Sequence, residues 1–233
     1  MQDAPQVAEL RFSRPGTRIR MTDDERAALW RQRLFEAEAG MTRLLAGRAR
    51  EDLIDRWIRT RSALFADLPG GEEGGGDALA WQAIFFRAQA LMERYLITHF
   101  GHDALGDWAL ANAEVYALVE GDRGGGASDP ITRLARQAEL YGSRYALSTG
   151  DTEAAAVEIE HCAIWDYRER ARARGVPITL ASPCEYCTKA TGANIRAAGF
   201  DAAYELTDGP GGPGCRWRAT APASGEEAPA CAA

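Results

Sequence analysis

Five cysteines occur in the 233-residue chain, and all fall in its last third: Cys162, Cys184, Cys187, Cys215 and Cys231. The first four form the series C-x21-C-x2-C-x27-C, with His161 directly before the first. Residues of these types can do three things. Four thiolates can hold zinc or an iron–sulfur cluster, both of which want soft sulfur ligands. One thiol can instead be a nucleophile, activated by a neighbouring imidazole or a helix end. Finally, free cysteines often pack as small, inert hydrophobes. The metal reading takes Cys162, Cys184, Cys187 and Cys215 as ligands, although a zinc ribbon would need a second C-x-x-C pair. The catalytic reading takes Cys184 as nucleophile and His161 as its base. Cys184 opens the segment PCEYC at the expected start of a helix. There the helix dipole favours a thiolate, and a three-residue spacing puts both sulfurs of the pair on one side.

Other groups could support such a site. Lys189, the only lysine among 27 basic residues, lies one turn past Cys184. It could hold a substrate carboxylate or depress a thiol pKa, and its alternative is an ordinary surface position. Tyr186, inside the C-x-x-C pair, is the aromatic candidate for substrate contact. His99 and His102 flank a helix end and read as capping or surface groups. Glu158 and Glu160 alternate along a strand and read as its solvent face. The run GPGGPG lacks the lysine and hydroxyl of a phosphate loop and reads as a hairpin turn.

These residues must be positioned by elements that hydropathy patterning outlines. Thr22 with Glu25 is a capping box, so a helix starts there and keeps apolar spacing to Gly40. A second helix is expected over 41–65, a third over 78–100 and a fourth over 103–120. A short helix over 131–140 follows. The period then changes to two over 154–162, which predicts a strand ending at Cys162. A charged helix over 165–174 comes next, and then a helix from Pro183 to Ala198 with Ser182 as its cap. Strands over 200–206 and 216–220 close the fold around the turn TDGPGGPG. The fold class is therefore α+β: a helical N-terminal half followed by a small antiparallel sheet. The expected organisation is a helical hairpin arm over 1–70, an α+β domain over 77–220 carrying the Cys/His site, and a disordered tail over 221–233.

Composition narrows the function. Apolar residues make up 46% of the chain and charged residues 26%, enough for a core. A net charge of −7 argues against nucleic-acid binding, which wants a basic surface. No apolar run approaches the ~18 residues of a membrane span, and no export signal is visible. The expected location is cytoplasmic, where thiols stay reduced and serve metals or catalysis.

The order of motifs in the C-terminal block, HCAIWDYRERARARGVPI, PCEYC and TDGPGGPGCRWR, resembles the family of L-2-amino-thiazoline-4-carboxylic acid hydrolases. It is more distantly similar to 4-vinyl reductase type small-molecule-binding domains. The resemblance spans about residues 77–220 and is carried by Cys162, Cys184 and Cys215. It implies a hydrolase that opens a cyclic amidine, a thiazoline-type amino acid or a relative. In one respect the chain departs from the pattern: the family tends to C-x-x-D after the middle cysteine, whereas this chain has Cys187. A carboxylate suited to acid–base work is replaced by a thiol, which favours the metal or redox alternative.

The expectation is thus a cyclic-amidine hydrolase using Cys184 and His161, with Lys189 and Tyr186 contacting a small-molecule substrate. No motif demands a cofactor under this reading. The alternative is a zinc or iron–sulfur domain held by the four cysteines, acting in small-molecule binding or redox sensing. Neither nucleic acid nor membrane is an expected partner, and the apolar helical arm suits a homodimer.

Overall fold

A computed structural model describes residues 19–48, 51–66, 68–69, 77–121, 123–148 and 151–223. The stretch 70–76 between the expected arm and the α+β domain, most of the tail and Cys231 lie outside these residues.

Seven helices and four strands follow one another along the described chain: α1 (Asp23–Gly47), α2 (Glu51–Phe65), α3 (Ala78–Phe100), α4 (Ala104–Glu120), α5 (Ser128–Tyr141), β1 (Arg144–Leu147), β2 (Ala154–His161), α6 (Ala163–Ala173), α7 (Cys184–Ala197), β3 (Asp201–Gly209) and β4 (Gly212–Thr220). The fold is α+β, with helices concentrated in the N-terminal half and one antiparallel sheet in the C-terminal part. No described helix is long and apolar enough to cross a membrane.

α1 begins as its capping box dictates. The Thr22 hydroxyl accepts from the Glu25 amide at 3.2 Å, and the Thr22 amide donates to the Glu25 carboxylate at 2.7 Å. The helix does not stop at Gly40, as its sequence suggests, but runs on to Gly47. Gly40 serves a close approach instead: a Cβ there would lie 1.8 Å from Asn112 Oδ1 of α4. Trp30 of α1 is buried among aromatic rings of two other elements, 5.0 Å from Phe85 of α3 and 5.1 Å from Tyr141 of α5 between centroids. α1 therefore shares one apolar core with α3, the start of α4 and the end of α5.

The sheet has strand order β1-β2-β4-β3. Its register aligns Tyr145, Ile159, Cys215 and Leu206 in one row across all four strands. Val157, Trp217 and Tyr204 form the next row but one on the same side, and Tyr204 stacks on Trp217 at 4.8 Å. α5 and α7 pack on this face through Ile131, Ala135, Ala138 and Ile195. Glu158, Arg216 and Glu205 alternate to the other face, where Arg216 lies 2.8 Å from Glu158 and 3.7 Å from Glu205. The β3–β4 hairpin is longer than its sequence suggests. Both strands extend into the glycine-rich run, and only Pro210-Gly211 remains as the loop. A two-residue loop favours positive φ, and Gly212, just past it, has φ +100°.

Candidate functional site

Between α3, α5, α6, α7 and the inner face of the sheet lies a cavity of about 610 Å³. That is within the range of pockets that enclose a drug-sized ligand. All four cysteines of the motif series line it, as does Tyr186. Each arrives from a different local context. Cys162 is not the end of β2 but the residue that caps α6, fixed by its amide donating to Pro213 O at 2.9 Å. Cys184 is the first residue of α7, and its amide donates to Ser182 Oγ at 3.1 Å. Cys187 lies one turn on along the same side, its sulfur 4.0 Å from Thr191 Oγ1. Cys215 occupies the inner sheet row between Ile159 and Leu206.

The four are free thiols. Burial pushes Cys162 up, against the pull of the Ile164 and Trp165 amides, and the Cys184 sulfur adds to the rise. Burial likewise pushes Cys187 far up, reinforced by Cys162, Cys215 and Cys184. Cys215 is raised to about 12 by burial, with Cys162 and Cys184 contributing. These three thiols are therefore protonated at neutral pH and poor as nucleophiles. Their mutual influence places the four sulfurs around a common space. Even so, among the described residues no three His, Cys, Asp or Glu side chains are grouped to hold a metal ion. The thiols share a wall without forming a ligand cage.

The structure does not bring His161 and Lys189 to this cavity. His161 is the last residue of the inner strand β2, where its Nε2 lies 2.7 Å from Asp166 and its Nδ1 faces Gly212. Neither it nor Lys189 is part of the lining, and Lys189 is exposed, as expected for an outward position on α7. Tyr186 is held firmly: its ring stacks on Trp108 at 4.4 Å and its hydroxyl accepts from Asn112 Nδ2 at 2.6 Å. His102 contacts Glu185, and His99 packs on the Tyr95 ring at 4.6 Å.

Several polar residues of the cavity escaped sequence reasoning. Arg33 lies 2.7 Å from Glu36 and 2.9 Å from Glu120, and Arg133 is 3.2 Å from Glu120. The Tyr116 ring packs against both guanidinium groups, at 5.6 and 4.0 Å. Arg33 and Glu36 interrupt the apolar stripe Trp30–Ala37 of α1, a visible signal that a charge pair is buried there. Glu93 of α3 and Arg168 of α6 also line the wall. Burial raises the Glu93 carboxyl to about 7, against a hydrogen bond from Gln89 and the attraction of Arg168. Glu93 directly follows buried Met92 on the apolar face of α3, a weaker signal of the same kind. Arg168 lies in the run DYRERARAR, where nothing marks one arginine from the next.

Comparison with family models, with curated proteins and with solved structures finds no match to this chain. Function is therefore argued from the cavity.

Proposed function

We propose that the protein is a small-molecule enzyme whose substrate occupies the thiol-lined cavity, and that it opens a cyclic amidine of the thiazoline type. One observation carries this reading: four cysteines from three parts of the fold open onto a single cavity of ligand size. The motif resemblance supplies the reaction class. Cys184 is the nucleophile of choice because it opens α7 at the cavity wall, whereas burial raises the thiols of Cys162, Cys187 and Cys215.

In this reaction Cys184 Sγ forms a bond to the amidine carbon, and the C=N electron pair moves to the ring nitrogen, which takes up a proton. One ring bond, C–N or C–S, then breaks as the lone pair of the exocyclic nitrogen forms a C=N bond, and the departing ring atom takes up a proton. Water adds to this trigonal carbon and the bond to Cys184 breaks, so the net change is consumption of one water. Proton transfer falls to Glu93 rather than to His161. Glu93 lines the cavity and its raised pKa of about 7 lets it both give and take a proton near neutral pH. Tyr186, fixed by Trp108 and Asn112, serves as a rigid wall against the ring. Cys162, Cys187 and Cys215 contribute apolar, polarisable surface.

The test is turnover of 2-amino-thiazoline-4-carboxylate by the wild type and by Cys184→Ser. Ring opening by the wild type, abolished in a variant that remains folded by circular dichroism, is the expected result. Undiminished turnover in the variant, or none in the wild type, overturns the reading.

A further inference from the structure

Arg168 is a buried cation without a counter-ion in contact. The residue is only 8% exposed, and it lines the cavity. Its Nε has no hydrogen-bond partner, and among the described residues it forms no ion pair. The charges that act on it, Glu93, Glu169, Glu185 and Arg172, do so from beyond contact distance. Glu185 is already engaged by His102, and Glu169 by Arg172 at 2.6 Å. A buried guanidinium nitrogen left unbonded costs more than one left in water, and the terminal nitrogens remain free to meet a ligand in the cavity.

The other charged group of the lining is different. Arg133 also has unbonded nitrogens, but Glu120 and Glu36 lie 3.2 and 3.8 Å away and already balance the two arginines there. Much of the remaining wall is aromatic and aliphatic. Phe86 stacks on Tyr167 at 3.8 Å, and Trp165, Ile164 and Leu180 continue the surface.

We propose that the cavity takes a hydrophobic monocarboxylate, with its carboxylate on Arg168 and its apolar body along the wall formed by Phe86, Tyr167 and Trp165. A carboxylate suits one planar guanidinium, which can bind it with two parallel hydrogen bonds. A dianion such as phosphate is disfavoured by Glu93 and Glu185 on either side. The cavity volume leaves room for an apolar body beyond the carboxylate. This deepens the proposed function by naming a substrate class, and it rests on that reading only in taking the cavity as the ligand site.

Calorimetric titration with 2-naphthoate, dodecanoate and the neutral 2-naphthalenemethanol tests it. Expected is binding of both carboxylates at least tenfold tighter than the alcohol. Arg168→Gln should remove that preference while still binding the alcohol, which shows that the variant cavity is intact. Arg168→Lys should keep a reduced preference, because the charge remains and the two-pronged geometry is lost. Equal affinity of carboxylate and alcohol for the wild type overturns the proposal, as does an unchanged preference in Arg168→Gln. So does binding of acetate as tight as that of 2-naphthoate, since the apolar body would then contribute nothing. None of these measurements involves ring opening or Cys184, so failure here is distinguishable from failure of the hydrolase reading.

Discussion

Asn112 of α4 donates from Nδ2 to the Tyr186 hydroxyl of α7 at 2.6 Å, while its Oδ1 occupies the space that a Cβ on Gly40 of α1 would need. One fully buried side chain thus connects the packing of the helical layer to the wall of the cavity. α1 can approach α4 only because residue 40 has no side chain, and Asn112 can hold Tyr186 only while that approach leaves its amide in place. The interior is packed closely enough that such a contact has no slack.

Gly40→Ala is therefore expected to destabilise the protein by about 1–3 kcal/mol, the usual cost of forcing atoms into a packed interior. The helix itself would gain from alanine, so the loss reports on the α1–α4 contact alone. Urea unfolding of wild type and variant measures it. Equal or greater stability in Gly40→Ala would show that α1 and α4 separate easily. Asn112→Ala should leave α1 undisturbed but release the Tyr186 hydroxyl, and weaken ligand binding in the cavity.

The thiols make a second prediction. Burial holds Cys162, Cys187 and Cys215 above the ordinary thiol range, so little thiolate exists at neutral pH. In a Cys231→Ser background, native protein at pH 7.5 should be alkylated by iodoacetamide first at Cys184. The Cys215 rise from the ordinary value near 9 to about 12 implies roughly a thousandfold less thiolate there. Mass spectrometry of the modified peptides gives the order. Labelling of Cys187 or Cys215 ahead of Cys184 in folded protein contradicts it, and prior filling of the cavity with ligand should slow the reaction at Cys184.

What the sequence revealed of this site, and what it concealed, follows from the range of the interactions. Capping boxes, apolar periodicity and turn residues are local, so the helices and the change to strand period at Ala154 are legible, and so is the α+β class. Gly40 misleads because a glycine that ends a helix and one that admits a neighbour look alike within one chain segment. Convergence of Cys162, Cys184, Cys187 and Cys215 could be suspected from their order but depends on three separate packing contacts. His161 illustrates the reverse case. Adjacent to Cys162 in sequence, it turns away because β2 ends between them and Cys162 becomes the cap of α6. Glu93 and Arg168 come from helices more than seventy residues apart, and only packing brings both to the same cavity wall.

The geometry of the thiols also bears on metal content. Among the described residues the four sulfurs share a cavity without forming a ligating group, so they must rearrange before a metal can bind. Protein purified without chelators should carry well under one equivalent of zinc or iron by elemental analysis. A stoichiometric metal, lost on replacing any one of Cys162, Cys184, Cys187 or Cys215, would revive the four-thiolate alternative.

Glu93 gives the protein a pH-dependent stability of definite sign. Its carboxyl is raised from 4.5 to about 7 in the folded state because burial penalises the charged form. Below pH ~4.5 the group is protonated in folded and unfolded chains alike, and its contribution is fully present. As pH rises towards 7 the unfolded chain releases this proton while the folded one retains it, so stability is lost across that window. Above about pH 7 both states are ionised and nothing more changes. The loss amounts to roughly 3 kcal/mol by pH 8. Glu93→Gln keeps the shape and the contact with Gln89 but cannot ionise. Its stability relative to wild type should therefore increase between pH 5 and pH 8 by most of that amount. Carboxylates whose pKa values are lowered on folding, such as Glu25 and Asp151, act in the opposite direction, but they are common to both proteins and cancel in the difference. Urea titrations at the two pH values decide the matter. A constant difference would mean that Glu93 titrates normally, and it would remove the group proposed to move protons beside Cys184.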